Sequence, residues 1–162
     1  MLKNFLQSIM GGSAGKVFSP VKGKSLPINK SADPAHQQEA LGKGACLMPE
    51  GGKIFAPFNG IVDMIFETKH AINLKSEDGI ELLIHCGIDT VKLRGKGFTI
   101  HVQEGEKIKT GQLLSEYDKN IITSAGYSLE TQVVVTNTGD FKAVTLEKTG
   151  ACEAGDLLLH VK

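Results

Sequence analysis

The stretch from Phe66 to Val91 constrains the fold more than any other part of the sequence. It contains two apolar runs with one histidine each, His70 and His85, separated by the polar cluster Ser76-Glu77-Asp78-Gly79. A polar cluster that ends in glycine between two apolar runs is typical of a β-hairpin. The stretch therefore predicts two antiparallel strands that carry a histidine each.

The predicted hairpin brings the two histidines together in either of two registers. If the whole polar cluster forms the loop, His70 lies directly opposite His85, where Cβ atoms are about 4.5–5.5 Å apart. If the loop is only Asp78-Gly79, His70 lies opposite Gly87 and has His85 as a diagonal neighbour on the same face. Both registers place the imidazoles on one surface.

Neighbouring side chains are expected to extend this histidine face. Side chains alternate with period 2 along a strand, so Thr68 should lie beside His70. Its hydroxyl would then hold the His70 ring and select its tautomer. Ile72 and Leu83 are expected on the same face, where they would surround the histidine pair with apolar side chains.

Composition limits the classes of protein to which the chain can belong. Its 162 residues suffice for one domain with a substantial core. Basic and acidic residues number 18 each, which excludes the basic footprint of a nucleic-acid-binding protein. Three cysteines without a CxxC pair, Cys46, Cys86 and Cys152, favour a reducing, cytoplasmic setting.

Residues 1–16 differ from the rest and are expected to form a flexible N-terminal segment. Gly11 to Gly15 is typical of a linker. The residues before this linker predict a short amphipathic helix. One interpretation is that the helix docks on a partner or a membrane surface. The other is that it is a frayed tail or rests on the domain, since so short a helix is marginal in water. No apolar run approaches the roughly 20 residues that span a bilayer, so only peripheral membrane association is expected. The predicted apolar helix face consists of Leu2, Phe5, Leu6, Ile9 and Met10.

Two sequence echoes predict that residues 17–162 form one internally duplicated, all-β domain. Residues 18–23, FSPVKG, resemble residues 55–60, FAPFNG. Residues 105–114, GEKIKTGQLL, likewise resemble residues 150–159, GACEAGDLLL. Each echo occurs only twice, which argues against a solenoid. Frequent glycines favour short strands with tight turns, and short helical turns that begin at an aspartate N-cap complete the prediction.

A pair of histidines on a strand surface is compatible with three kinds of site. In a phosphoryl-transfer site, one imidazole attacks phosphorus while the other stabilises the phosphoryl oxygens, without a nucleotide or a metal. In a metal site, two histidines supply too few ligands, since a catalytic zinc usually has three from the protein. In the third kind, the histidines are amphipathic residues of the core. The pattern alone leaves all three open.

Both histidines lie in motifs that resemble a known family. Residues 79–91, GIELLIHCGIDTV, resemble the active-site signature of the glucose-type enzyme IIA of the bacterial phosphoenolpyruvate:sugar phosphotransferase system. Residues 68–71, TKHA, resemble that family's second histidine segment. Residues 95–98, GKGF, and 104–111, EGEKIKTG, also resemble family segments, and the resemblance covers nearly the whole chain from residue 17 onward.

The resemblance implies an antiparallel β-sandwich of the duplicated barrel-sandwich hybrid type. It implies a phosphotransferase component in which His85 accepts a phosphoryl group from the carrier protein HPr. The group would then pass to a cysteine on the IIB domain of a sugar permease. His70 would be the second active-site histidine, with Thr68 supporting it by a hydrogen bond. The resemblance implies no cofactor and no resident metal.

The resemblance also implies a docking surface around the histidines. Asp33 and Asp89 match acidic positions that face arginine on the carrier, and Phe66, Ile72 and Leu83 are expected to contact partners. Family members also regulate other proteins through this face, so regulatory targets are expected besides HPr and the IIB domain. The alternatives are a regulatory binding module without phosphoryl flux and a zinc hydrolase that uses the histidine pair.

Several residues depart from the family pattern. Cys86 replaces a large apolar residue, and its thiol should be buried on the face opposite to His85, which argues against a Cys–His dyad. Ala35-His36 stands where the family often has Val-Phe, and Gln132 stands where proline is usual. These changes are expected to affect partner docking and to leave the chemistry intact. Three histidines without a partner in the sequence are expected to be solvated, or to be structural residues whose hydrogen bonds are satisfied: His36, His101 and His160.

Overall fold

The structure is a computed structural model that describes residues 2–9 and 12–162. Met1, Met10 and Gly11 lie outside the described residues, and with them parts of the predicted helix face and linker. The described chain consists mainly of short strands joined by tight turns. The strands are β1 (Lys16–Phe18), β2 (Gly23–Pro27), β3 (Lys43–Pro49), β4 (Lys53–Phe55), β5 (Gly60–Ile65), β6 (Ala71–Ser76), β7 (Glu81–Cys86), β8 (Phe98–Ile100), β9 (Lys107–Ile108), β10 (Leu113–Tyr117), β11 (Thr131–Val135), β12 (Val144–Leu146), β13 (Gly150–Cys152) and β14 (Leu157–Val161).

The helices of the described residues are few and short. Asp33 and Asp118 cap two of them by accepting backbone N–H groups, as is typical of an N-cap aspartate. None of the helices in the described residues has the length and apolar character needed to span a bilayer. The α-helices are α1 (Leu2–Ile9), α2 (Pro34–Gln37) and α3 (Lys119–Ser124), and the 3-10 helices are Ile28–Lys30, Thr90–Leu93 and Thr138–Asp140.

The strands form one large and two small antiparallel sheets. The large sheet has the order β13-β2-β3-β11-β7-β6-β5-β9, and the small sheets have the orders β1-β14-β12 and β4-β10-β8. The main apolar core joins Leu74 and Ile84 of the large sheet to Leu158 and Ile54 of the small sheets. The predicted all-β, antiparallel sandwich with short helical turns is thus confirmed.

The sequence echoes occupy equivalent places in the two halves of the domain. Phe18 donates its backbone N–H to Pro57 O at 3.0 Å, and Phe55 donates its own to Pro20 O at 2.9 Å. The reciprocal bonds cross-link the two copies of the first echo. Equivalent backbone hydrogen bonds join the second echo to the first. Ser19 donates to Asp156 O and accepts from the Gly155 N–H, and Ala56 likewise donates to Gln112 O and accepts from the Gly111 N–H.

Helix α1 rests where the two halves meet. Phe5 is 1% exposed, and its ring centroid lies 6.0 Å from that of Phe55. Its atoms occupy the space beside Gly111 and Gly155, where an added Cβ would come within 3.0–3.1 Å of Phe5. The two glycines are equivalent positions of the second echo, so a single aromatic side chain contacts both halves. Leu6, in contrast, is 54% exposed.

The β6–β7 hairpin has a register that differs from both predicted registers. Ala71 pairs with His85, so His70 is level with Cys86, whose N–H donates to His70 O at 2.8 Å. The loop therefore has three residues, Glu77-Asp78-Gly79. Gly79 adopts a φ of +91°, as the last residue of a three-residue hairpin loop commonly does.

The observed register moves Ile72 away from the histidine face. Ile72 pairs with Ile84 and is 3% exposed in the main core. The prediction that Ile72 shares the face of the histidines and contacts partners is therefore wrong. Leu83 pairs with Asn73 and does lie on the histidine face, but it is 5% exposed, so its side chain lies beneath that surface and offers partners little area.

Candidate active site

His85 lies on the outer face of the large sheet, away from the main core. Strand β7 pairs with β6 on one side and β11 on the other, which places Ala71 and Gln132 directly opposite His85. Directly opposed residues share a face of the sheet. A small apolar cluster supports this face, and it consists of Ile28, Cys46, Ala71, Leu83 and Val134, with Phe66 packed against it.

His70 reaches the same surface because it belongs to a turn and not to the strand. Strict alternation from Ala71 would point His70 to the opposite face. The turn at residues 66–70 includes Lys69 in the left-handed region, with φ +62°, and this changes the direction of the chain. The ring centroids of His70 and His85 are 4.8 Å apart, with perpendicular planes. The rings are therefore together as predicted, although the predicted registers are wrong.

Two neighbours fix the His70 ring. Thr68 Oγ1 lies 2.7 Å from His70 Nδ1, which is the predicted contact, although it is made within a turn and not along an extended strand. Phe66 meets the ring edge-on, with the centroids 5.4 Å apart. His70 is 3% exposed. Since Nδ1 is bonded to Thr68, Nε2 is the nitrogen that remains for a ligand.

Two hydrogen-bond acceptors meet Nδ1 of His85. Gly87 O lies 2.9 Å from it and Gln132 Oε1 lies 2.8 Å from it. The orientation of the Gln132 amide is set by its own donors, since Nε2 bonds to Glu130 O at 3.1 Å and to Glu130 Oε2 at 2.6 Å. Because both neighbours of Nδ1 accept, the neutral imidazole carries its proton on Nδ1 and its lone pair on Nε2.

Gly87 makes one of these contacts possible through its backbone conformation. Its φ of +92° lies in the region that side chains disfavour, and an added Cβ would collide with the methyl group of Thr90. This turn folds the Gly87 carbonyl back toward His85. The Thr90 hydroxyl holds the turn in place by donating to Cys86 O at 2.6 Å.

The buried carboxylate of Glu130 accepts a hydrogen bond from the Gln132 amide. Glu130 is 7% exposed, and besides Gln132 it accepts hydrogen bonds from the Ser31 hydroxyl and from the Ala32 N–H at 2.9 Å. A buried charge is tolerated when hydrogen bonds satisfy it. Glu130 therefore connects β11, and through Gln132 the imidazole of His85, to the residues that lead into α2.

Helix α2 brings a third histidine to the site. The His36 ring centroid lies 5.4 Å from that of His85, with the planes tilted by 54°. His36 is 3% exposed, and its buried Nδ1 has no hydrogen-bond partner among the described residues. The expectation of a solvated or satisfied histidine is therefore wrong. In contrast, His101 is exposed and bonds to Glu116 Oε2 at 2.8 Å.

Sequence reasoning thus missed the contacts of His36 and Gln132 with the site. As departures from a family pattern, both residues predict only changes at a docking surface. Gln132 lies 47 positions from His85 in sequence, and their contact depends on the pairing of β7 with β11. The only feature of the sequence that points to these contacts is the change itself, since Gln132 stands where proline is usual and His36 where phenylalanine is frequent.

Burial keeps the two imidazoles beside His85 uncharged. Burial and, to a smaller extent, the neighbouring His85 lower the pKa of His70 to about 4. Burial, and then His85, also lower the pKa of His36, and Asp33 and Glu130 oppose this effect. At neutral pH, His36 and His70 are therefore both neutral.

The other predicted site residues lie at different depths. Cys86 is 6% exposed in the main core, where burial raises its pKa to about 12, so the predicted separation from the histidine face is observed. Asp33 is half-buried and its carboxylate accepts from Ala35 N at 3.0 Å. Asp89 is exposed. Within the part of the chain that the structure describes, no three His, Cys, Asp or Glu side chains are grouped so as to hold a metal ion.

Comparison with known proteins identifies the class to which this fold and site belong. Residues 15–141 match the family model described as phosphoenolpyruvate-dependent sugar phosphotransferase system, EIIA 1. The solved structure of glucose permease IIA from Mycoplasma capricolum superposes with a TM-score of 0.83 at 29% identity, over 89% of this chain and 93% of that chain. The chain therefore belongs to the EIIA 1 family, the IIA-type phosphotransferase components of this sugar transport system.

Individual relatives are larger proteins of the same system. The chain is 42% identical over 154 residues to the PTS system glucose-specific EIICBA component of Staphylococcus carnosus, a match that covers 95% of this chain and 23% of that protein. It is 39% identical over 148 residues to the beta-glucoside-specific EIIBCA component of Bacillus subtilis, covering 91% of this chain and 24% of that protein. The chain thus spans about a quarter of the length of these relatives, which join a IIA part to IIB and IIC parts.

The contacts of Nδ1 predict the tautomer of His85. In NMR correlation spectra of the ring nitrogens, neutral His85 should carry its proton on Nδ1, because Gly87 O and Gln132 Oε1 both accept there. His101 is an internal control of opposite type, since its Nε2 faces the Glu116 carboxylate and should carry the proton. A neutral His85 protonated on Nε2 would contradict this geometry.

The low pKa of His70 predicts a loss of stability in acid. The folded protein lowers the pKa of His70 to about 4, whereas the ordinary value is 6.5. Between these values the unfolded chain binds a proton at His70 that the folded protein does not, so the free energy of unfolding falls as pH decreases, by up to roughly 3 kcal/mol for this residue. Denaturant unfolding of wild type and His70→Gln from neutral pH to about pH 4 measures this. Equal losses in both proteins would contradict the expectation; the contribution of His36 is common to both and cancels.

Proposed function

We propose that this chain is a phosphocarrier in which Nε2 of His85 accepts a phosphoryl group from the phosphohistidine of HPr. The lone pair of Nε2 attacks phosphorus, the donor P–N bond breaks, and the donor imidazole leaves with that electron pair and takes up a proton. In the second half-reaction, a cysteine thiolate of a IIB domain attacks the same phosphorus atom. His85 then leaves with the electron pair of its P–N bond.

The observation that carries this proposal is the pair of acceptors on Nδ1 of His85. They leave the lone pair on Nε2, which is the nucleophile that the reaction needs. Attack on phosphorus also makes the ring more positive, so the bonds from Nδ1–H to Gly87 O and Gln132 Oε1 strengthen as the reaction proceeds. Interactions that strengthen in the transition state accelerate the chemical step.

His70 is suited to hold the phosphoryl group during transfer. Since its imidazole is neutral, only one ring nitrogen carries a proton. When the Thr68 hydroxyl donates to Nδ1, the proton of His70 lies on Nε2, from which it can donate to a phosphoryl oxygen. In this arrangement Thr68 acts as a positioning residue and His70 as the group that contacts the phosphoryl.

The surface around the site is suited to proteins as partners. Its acidic part consists of Asp89, which is exposed, and Asp33, which is half-buried. Its apolar part is the half-buried Phe66, and Leu83 lies beneath the surface. We propose HPr as the donor and a IIB domain as the acceptor, a choice that the composite names of the EIICBA and EIIBCA relatives support. The exchange would take place in the cytoplasm, and regulatory proteins would compete for the same surface.

Intact-mass measurement tests the proposed function. Incubation with phosphoenolpyruvate, enzyme I and HPr should add one phosphoryl group to wild type, and none to His85→Ala, because the nucleophile is gone. Omission of HPr should abolish the gain. A wild-type protein that binds HPr but gains no mass would overturn the phosphocarrier function in favour of a regulatory binding module.

Replacement of His70 should separate the two half-reactions. His70→Gln keeps the His85 nucleophile and should still accept a phosphoryl group. Onward transfer should be slower by roughly 10²–10³, because the leaving phosphoryl loses a donor placed on its oxygens. Both half-reactions are measured on a folded variant. This division of labour is refuted by complete loss of acceptance, or by sugar phosphorylation at the wild-type rate.

Removal of the Thr68 hydroxyl should weaken the contribution of His70. Thr68→Val preserves the shape of the side chain and should slow onward transfer by roughly fivefold, since a hydrogen bond contributes about 1 kcal/mol. Thr68→Ser retains the hydroxyl and serves as the matched control, with a rate close to that of wild type. If the valine variant transfers as fast as the serine variant, the hydroxyl does not act on His70.

A further inference from the structure

His36 is the buried polar side chain that the proposed mechanism leaves unused. It lies on α2, directly beside the ring of His85. Among the described residues, its Nδ1 is the only buried side-chain nitrogen or oxygen without a hydrogen-bond partner. An unsatisfied buried polar group is costly, so its presence beside a reacting group requires an explanation.

Ionisable groups from three directions face His36. Asp33 caps the same helix, Glu130 lies directly before β11, and His85 comes from β7, with His70 on the far side of His85. The two carboxylates favour a protonated His36, whereas burial and His85 disfavour it, and the latter effects prevail in the unphosphorylated protein. The balance between charges of both signs makes the protonation of His36 sensitive to any new charge on His85.

We propose that His36 is a third imidazole of the phosphoryl site, which takes up a proton from solvent when His85 is phosphorylated and stabilises the phosphohistidine by its charge. This inference rests on the proposed phosphocarrier function. It extends that function to a residue that is a departure from the family pattern. No new covalent step is involved, since the only additional event is the binding of one proton.

The change of charge on phosphorylation supports this assignment. Attack by neutral His85 leaves a positive ring that bears a phosphoryl group with two negative charges, so the site becomes more negative by one unit. The phosphoryl group extends from a ring that already lies 5.4 Å from His36, centroid to centroid. At such a distance and an effective dielectric constant of about 20, one unit charge raises the pKa of a histidine by up to roughly two pH units. A protonated His36 has two N–H donors, and phosphoryl oxygens are hydrogen-bond acceptors.

Proton uptake by His36 would make the phosphorylation equilibrium depend on pH. If the pKa of His36 is higher in the phosphorylated protein, protonation of His36 stabilises the phosphorylated state. This stabilisation is complete at pH values below the pKa that His36 has in the unphosphorylated protein. The advantage is lost as the pH rises through the pKa that His36 has in the phosphorylated protein. A difference of one pH unit between the two pKa values corresponds to a tenfold effect on the equilibrium.

NMR titration of the histidine rings tests the proton uptake directly. The pKa of His36 is measured in the unphosphorylated chain and in the chain kept phosphorylated by phosphoenolpyruvate, enzyme I and HPr, with His36→Phe used to assign the signal. We expect the pKa to be higher in the phosphorylated protein by about one pH unit or more. An unchanged or lower pKa would overturn the proposal.

The phosphorylation equilibrium provides the second measurement. Purified phospho-HPr is mixed with wild type, His36→Phe or His36→Gln over a range of pH, and the distribution of the phosphoryl group is determined by intact mass. Phenylalanine preserves the aromatic packing, whereas glutamine keeps a polar group that does not titrate. Taking the ratio of wild type to variant cancels the pH dependence of HPr itself.

The ratio of the equilibrium constants decides between an electrostatic and a packing role. Both variants should accept the phosphoryl group less favourably than wild type, by roughly tenfold at the acid end of the range, with a ratio that approaches one at high pH. A ratio that does not change with pH would overturn the proposal, whether or not the variants fold well. A wild-type chain that gains no phosphoryl group refutes the proposed function itself, and phosphorylation without proton uptake refutes only the inference about His36.

Discussion

The buried carboxylate of Glu130 is the interaction on which the arrangement of the site depends. Its oxygens accept from Ser31, Ala32 and Gln132, and all of these donors are neutral. A buried charge without such donors would cost several kcal/mol, so the segment before α2 and the Gln132 amide are held where they can donate. With its amide nitrogen bound to Glu130, Gln132 has its oxygen directed at His85. Through Gln132, this carboxylate acts together with the Gly87 carbonyl to determine which nitrogen of His85 is protonated.

The sequence was sufficient to predict the fold class, the histidine pair and the hydrogen bond of Thr68. Turn residues and the two echoes predict an internally duplicated, all-β domain, and the family resemblance adds the antiparallel sandwich. In the structure the two copies of the first echo exchange hydrogen bonds between Phe18 and Pro57 and between Phe55 and Pro20. The loop length was not predictable, because two, three or four residues of a Ser-Glu-Asp-Gly cluster can each form a hairpin loop. A shift of one residue in register moves side chains to the other face of a strand, which is why the placement of Ile72 was wrong.

The remainder of the site depends on tertiary structure that no local pattern encodes. Gln132 meets His85 because β11 pairs with β7, and His36 meets it because a short helix is connected to β11 through Ser31 and Glu130. The position of His70 is set by local structure but could not be predicted from the strand pattern. Its turn is local, but strict alternation predicts the wrong face, and only the left-handed conformation of Lys69 turns the ring toward His85.

Rigidity and low charge at rest are the two conditions that this architecture provides for the proposed phosphoryl transfer. Residues such as Leu83, Val134 and Cys46 form a packed apolar support under the rings, so the imidazoles are oriented before a phosphoryl group arrives and little ordering remains to be done during the reaction. Burial also keeps the imidazoles of His36 and His70 neutral, because a charged one would lose its hydration and be repelled by any charge on His85. Because neither His36 nor His70 is positively charged at rest, the site can receive a doubly negative group without first losing counter-ions bound to these imidazoles. It can also release that group, since no permanent positive charge holds it in place.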